Sequence, residues 1–152
     1  MTEWLSPAQQ RAWRSLLAMN TQMHAHLARA LQSESDLSYA DFMVLVALTD
    51  REDDRARISE LADLLQWERS RLSHHLKRME ARGHIERSSC PEDGRGQYIA
   101  VTPIGRAAIE QAAPGHAELV RDLVFSDLTE AELTALTEVS ERVVERLAQV
   151  PQ

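Results

Sequence analysis

The chain has 152 residues, 43% of them hydrophobic, with one cysteine and a formal net charge of −7. It is long enough for one core and too short for two independent ones, so a single domain over 1–152 is expected. One cysteine excludes an intramolecular disulfide framework, and no N-terminal signal pattern or apolar run long enough to span a bilayer is present, so a soluble, cytoplasmic protein without a membrane partner is expected. Five Gly and five Pro in a background rich in Ala, Leu, Glu and Arg favour long helices. The first helix opens at Ser6-Pro7-Ala8-Gln9, where Ser6 can cap, Pro7 suits the first helical position and Gln9 completes a capping box. Apolar residues then recur at Trp13, Leu16, Leu17, Met23, Leu27, Ala30 and Leu31, and the helix is expected to end near Ser33.

Ser38-Tyr39-Ala40-Asp41 repeats the capping signal ahead of Phe42-Met43-Val44-Leu45-Val46, a segment apolar on nearly all sides and suited to the centre of the core. A charged loop is expected from Asp50 to Arg57, then a short helix from Ile58 to Leu65. Gln66, Trp67 and Glu68 turn the chain into a helix over about Arg69–Arg82, stopped by Gly83. Strand-like pieces at Ile85–Ser88 and Gln97–Val101 flank a loop rich in Pro, Asp and Gly, the pattern of a hairpin. Thr102-Pro103 caps a helix expected to run to about Phe125 with a kink at Pro114-Gly115. Leu128-Thr129-Glu130-Ala131-Glu132 begins the last helix, whose stripe is Leu133, Leu136, Val139, Val143 and Leu147.

The charge is segregated. Between Arg69 and Arg87 six basic residues face only Glu80 and Glu86, a local balance of +4 that leaves −11 for the rest. Such a basic stripe on an acidic body fits a molecule that meets DNA with one face, although a solvated helix face would show the same charge. On a helical wheel Leu72, Leu76 and Met79 form the buried side of the 69–82 helix. Ser70, Ser73, His74 and Lys77 point outward, flanked by Arg71 and Arg78. Short hydroxyls, a His and basic groups can enter a major groove, where Ser and His reach base edges and Arg grips guanine or phosphate. A short helix, a tight turn, a basic helix, a glycine stop and a hairpin with Arg at its tip together describe a winged helix-turn-helix, mainly α with a small β-hairpin wing. The terminal helices are too long for the middle lobe to cover, so a second copy of the chain is the expected partner, with pairing inside one chain as the alternative.

The order of these residues resembles the MarR (multiple-antibiotic-resistance regulator) family. The likeness rests on Ile58-Ser59-Glu60-Leu61-Ala62, Glu68-Arg69-Ser70, Met79-Glu80-Ala81-Arg82-Gly83-His84-Ile85-Glu86-Arg87, Pro91-Glu92-Asp93-Gly94-Arg95 and Val101-Thr102-Pro103-Ile104-Gly105-Arg106. It implies a homodimer joined through helices in 6–33 and 102–150, with residues 38–101 as the DNA-binding lobe. It further implies a repressor of transcription acting on a pseudopalindromic double-stranded DNA operator. Arg95 would reach the minor groove from the wing and Asp93 would brace it. The sequence departs from the family at Gly94, where a first basic wing residue is usual, and at Cys90, where an acidic residue is usual. Effectors of such proteins bind between the dimer helices and the DNA-binding lobe, which makes Trp13, Met23 and Met43 candidates for contact with a small aromatic ligand, although residues at this spacing also suit a plain core.

Cys90 fits an inert thiol better than a redox switch. The six histidines share no helical face with metal-ligand spacing, so no metal and no cofactor is expected. No phosphate-binding loop or nucleophile motif appears, so no enzyme is expected. A winged helix that docks an acidic protein partner is the rival reading.

Overall fold

Four of the helices start where the sequence supplies a reciprocal cap or a fixed φ. In the computed structural model, which describes residues 4–89 and 96–150, α1 spans Pro7–Glu34 and α2 spans Tyr39–Thr49. The Gln9 amide donates to Ser6 Oγ at 3.3 Å while Ser6 N donates to Gln9 Oε1 at 2.8 Å. Ser38 and Asp41 form the same box at α2, with distances of 3.1 and 3.0 Å. Each cap satisfies amide donors that the first helical turn leaves without partners, worth about 1 kcal/mol per helix.

The chain continues through β1 (Arg55–Arg57), α3 (Ile58–Leu65), α4 (Arg69–Ala81), β2 (Ile85–Ser89), β3 (Gln97–Val101), α5 (Pro103–Val120) and α6 (Glu130–Ala148). The expected class, mainly α with a small β wing, is the one observed, and the sheet has a third strand. The segment expected to be loop from Asp50 to Arg57 ends in β1, because Arg55, Ala56 and Arg57 pair antiparallel with Ala100, Ile99 and Tyr98. Sheet order is β1-β3-β2, with Ile85 opposite Val101 and Arg87 opposite Ile99. The pairing buries Ala56, Ile85 and Ile99, which is the gain that turns a charged tripeptide into a strand.

Two compact units are present, residues 1–116 and 117–152. In the first, α2 is the centre of the core as expected: Phe42, Val44, Leu45, Ala47 and Leu48 are all buried. Leu61 and Ala62 from α3, Leu72, Leu76 and Met79 from α4, and Leu31 from α1 complete the cluster. Burying each of these leucines contributes about 2 kcal/mol of transfer free energy. His116 on α5 lies against Phe42, with ring centroids 4.4 Å apart, and burial pushes its imidazole pKa down.

Two glycines join α4 to α5. Gly83 adopts φ +77°, a conformation that L side chains rarely tolerate, and so ends α4. Thr102 Oγ1 donates to Gly83 O and accepts from the Gly105 amide at 3.1 Å, capping α5 onto that turn. Gly105 comes so close that a Cβ there would sit 2.0 Å from the His84 carbonyl oxygen. α5 keeps Pro114 inside the helix, ends at Val120 rather than near Phe125, and passes into a π-type segment over Arg121–Phe125.

In the second unit Thr129 and Glu132 form the capping box of α6, at 2.9 and 3.3 Å. These hydrogen bonds favour the Glu132 carboxylate and lower its pKa. No α6 residue is buried, and its apolar stripe, Leu133 to Leu147, is 39–66% exposed. No described helix is long and apolar enough to cross a membrane.

Candidate nucleic-acid interface

The turn between α3 and α4 places one face of α4 outward. Gln66 takes a left-handed conformation at φ 53°, its side chain donating to Asp63 O at 2.6 Å, and the Trp67 amide donates to Ala62 O at 3.0 Å. Leu72, Leu76 and Met79 are 0% exposed, which fixes the rotation of α4 about its axis as the helical wheel requires. Ser70, Ser73, His74 and Lys77 therefore converge on an open groove, which is completed by Glu80 and by Arg87 from β2.

Arg87 ties the root of the wing to this helix. Its Nη2 donates to the Ser73 carbonyl at 3.0 Å, its Nη1 to Gln97 Oε1 at 3.4 Å, and its Nε lies 3.3 Å from Glu80 Oε2. The sequence places Arg87 and Glu80 within the basic stripe but neither among the residues expected to contact DNA. The available signal was strand alternation, since Arg87 stands two residues after buried Ile85 and so faces α4 as well.

The other two cations expected on this helix to meet DNA, Arg71 and Arg78, occupy the opposite flank. The Arg71 guanidinium lies 4.7 Å from the centroid of the Trp67 ring. Arg78 Nη2 is 3.0 Å from His75 Nδ1. His75, only 7% exposed, packs edge-on against Trp67 with centroids 5.5 Å apart. Its Nε2 is 2.9 Å from Asp41 Oδ1, a close approach whose alignment falls short of a directed hydrogen bond. Arg82 Nη2 donates to the same oxygen at 2.7 Å. Burial of Asp41 opposes its charge, yet His75, Arg82 and the Ser38 donors outweigh that cost and hold the carboxyl well below the usual carboxylate range. The sequence shows Asp41 as a capping residue; its second task, anchoring α4 to α2, depends on residues 34 and 41 positions away.

Arg95, Asp93 and Cys90 lie outside the described residues. Trp13 is 52% exposed and borders an apolar patch with Leu5, Ala12 and Leu16, while Met23 and Met43 are half-buried. Trp13 and Met23 are separated by about 15 Å along α1. Among the described residues no group of three or more His, Cys, Asp or Glu could hold a metal ion.

A family model described as MarR family matches residues 35–96. The crystal structure of Sco3205, a MarR family transcriptional regulator from Streptomyces coelicolor in complex with DNA, is similar with a TM-score of 0.92. Its sequence is 36% identical, and the match covers 97% of this chain and 92% of that one. AbsC, another MarR family transcriptional regulator from Streptomyces coelicolor, is 34% identical with a TM-score of 0.92, covering 98% of this chain and 100% of its own. The transcriptional repressor MprA of Escherichia coli is 27% identical over 111 residues, which are 73% of this chain and 62% of the repressor's own length.

Proposed function

The chain belongs to the MarR family, and on that premise we propose that it is a sequence-specific regulator of transcription that binds double-stranded DNA as a homodimer. Members of the family are DNA-binding transcription regulators rather than enzymes. The observation that carries the proposal is the α4 groove: hydroxyl, imidazole and ammonium groups from Ser70, Ser73, His74 and Lys77 on an exposed face whose back is fully buried. Such a face offers donors and acceptors to base edges and positive charge to phosphates. The relative Sco3205 was crystallised with DNA, which supports the same use here.

The homodimer is supported by α6. A 19-residue helix with no buried side chain gains little from its own backbone and needs a partner for its stripe. In this reading residues 38–101 form the DNA-binding lobe, 6–33 and 102–150 supply the dimer helices, and the two α4 helices enter successive major grooves of a pseudopalindromic operator about 34 Å apart. Arg95, braced by Asp93, is the wing contact. The regulator acts as a repressor released by a small aromatic ligand, for which Trp13, Met23 and Met43 are the candidate contacts, Trp13 and Met23 standing too far apart along α1 for one such ligand to bridge. Such a ligand works only through a difference in affinity between DNA-competent and DNA-incompetent dimers.

An electrophoretic mobility assay on duplexes selected from a random pool tests the proposal. Lys77→Ala and Arg95→Ala should weaken binding and flatten its salt dependence, because each removes a positive charge held against the duplex. Ser70, Arg71 and His74 variants should shift sequence preference instead. Wild-type binding by all of these variants would defeat the assignment. Selection repeated with a panel of aromatic acids tests release.

A further inference from the structure

Arg71 and Arg78 are seven residues apart, about two helical turns, and so share one flank of α4. The wing side of the helix carries Ser73 and Glu80, both near Arg87, so this flank faces away from the wing. An arginine that must meet DNA gives up rotamer freedom, and a side chain already held in place gives up less. Both arginines are held, and by two residues that are themselves in contact. The indole face of Trp67 holds Arg71, a cation–π arrangement, and the Nδ1 of His75 faces Arg78.

The arrangement specifies a tautomer. Guanidinium has only donors, so a hydrogen bond with Arg78 requires His75 Nδ1 as the acceptor and leaves the ring N–H on Nε2, beside the Asp41 carboxylate. Asp41 is fixed from the other side by Arg82 and the Ser38 amide. The chain of contacts thus runs from the start of α2, through the back of α4, to a cation on its exposed flank.

Resting on the DNA-binding reading above, we propose that Trp67 and His75 are positioning residues for DNA binding, which hold Arg71 and Arg78 along the flank of α4 that lies away from the wing. Neither touches nucleic acid; each acts through its arginine.

The test uses the full chain, fluorescence anisotropy and a labelled duplex selected by the wild type from a random pool. His75→Gln keeps an amide within reach of Asp41 but offers Arg78 no ring nitrogen, and it should weaken binding roughly three- to tenfold. In an Arg78→Ala background the same change should add nothing. His75→Asn, whose Oδ1 can stand where Nδ1 stood, should bind more tightly than His75→Gln. Trp67→Phe should weaken binding in the Arg71 background but not in Arg71→Ala. A residue with a merely structural role would produce losses that add in both cycles, and that result would overturn the proposal. If His75→Gln melts too low to assay, the Trp67–Arg71 cycle decides alone. A wild-type chain that retains no duplex would remove the DNA-binding reading and this inference together, whereas additive losses on a chain that binds remove only the inference.

Discussion

α4 and α6 carry the same kind of apolar row and meet opposite fates. Leu72, Leu76 and Met79 on α4 are fully buried, with α3 and β2 packed against their helix, while Leu133, Leu136, Val139, Val143 and Leu147 on α6 stand in the open. Spacing at three and four residues states that one side of a helix is to be covered. It does not state by what. On α4 the cover is within the chain, and the exposed side becomes free for polar chemistry; on α6 the row is itself the functional surface if a second copy covers it.

The comparison is broken most forcefully by charging the bare row. Leu136→Glu with Val143→Glu should convert a two-chain particle into a single chain by sedimentation equilibrium, since an unpaired charge buried at an interface costs about 3–5 kcal/mol. An unchanged mass would mean the row has no such partner. Next in size, Leu76→Ala should lower the free energy of unfolding by about 3–4 kcal/mol in urea, from lost burial and the cavity left behind. Asp41→Asn should cost about 2 kcal/mol, because Arg82 loses a charged acceptor while the amide still caps α2 in part.

Asp41 also predicts a pH dependence. Its folded pKa is depressed, so its stabilisation is complete above the unfolded value of about 3.9 and is lost as pH falls towards the folded one. Acid titration followed by circular dichroism should show that loss in the wild type and a shallower one in Asp41→Asn. The smallest effect belongs to His84 and His116, whose pKa values burial lowers, with Arg82 adding to the shift of His84. They favour the neutral form in the fold, so stability rises with pH across the interval below about 6.5. A melting midpoint slightly lower at about pH 5.5 than at about pH 7.5 is expected, and no change would argue that both rings stay solvated.

What was legible in the sequence was local. The boxes at Ser6–Gln9, Ser38–Asp41 and Thr129–Glu132 span three residues each, and each is present. The inner row of α4 and the stop at Gly83 follow from periodicity and backbone freedom in the same way. Features that depend on distant partners were hidden. β1 exists because β3 pairs with it, and only Ala56 in that charged tripeptide hints at burial. His75 stands three residues after Leu72, close enough to the buried face to have been placed there, but its chemistry depends on Asp41. In the candidate interface the outward set of Ser70, Ser73, His74 and Lys77 could be read from the wheel, whereas Arg87 required knowledge of which side of β2 meets α4.

The gap at Gly105 has a genetic consequence. With only 2.0 Å between a would-be methyl carbon and the His84 carbonyl, even alanine must pry the start of the long fifth helix off the wing's root. Random mutagenesis that selects for heat-sensitive regulation should therefore recover this codon repeatedly, although it lies in neither the basic groove nor the bare stripe.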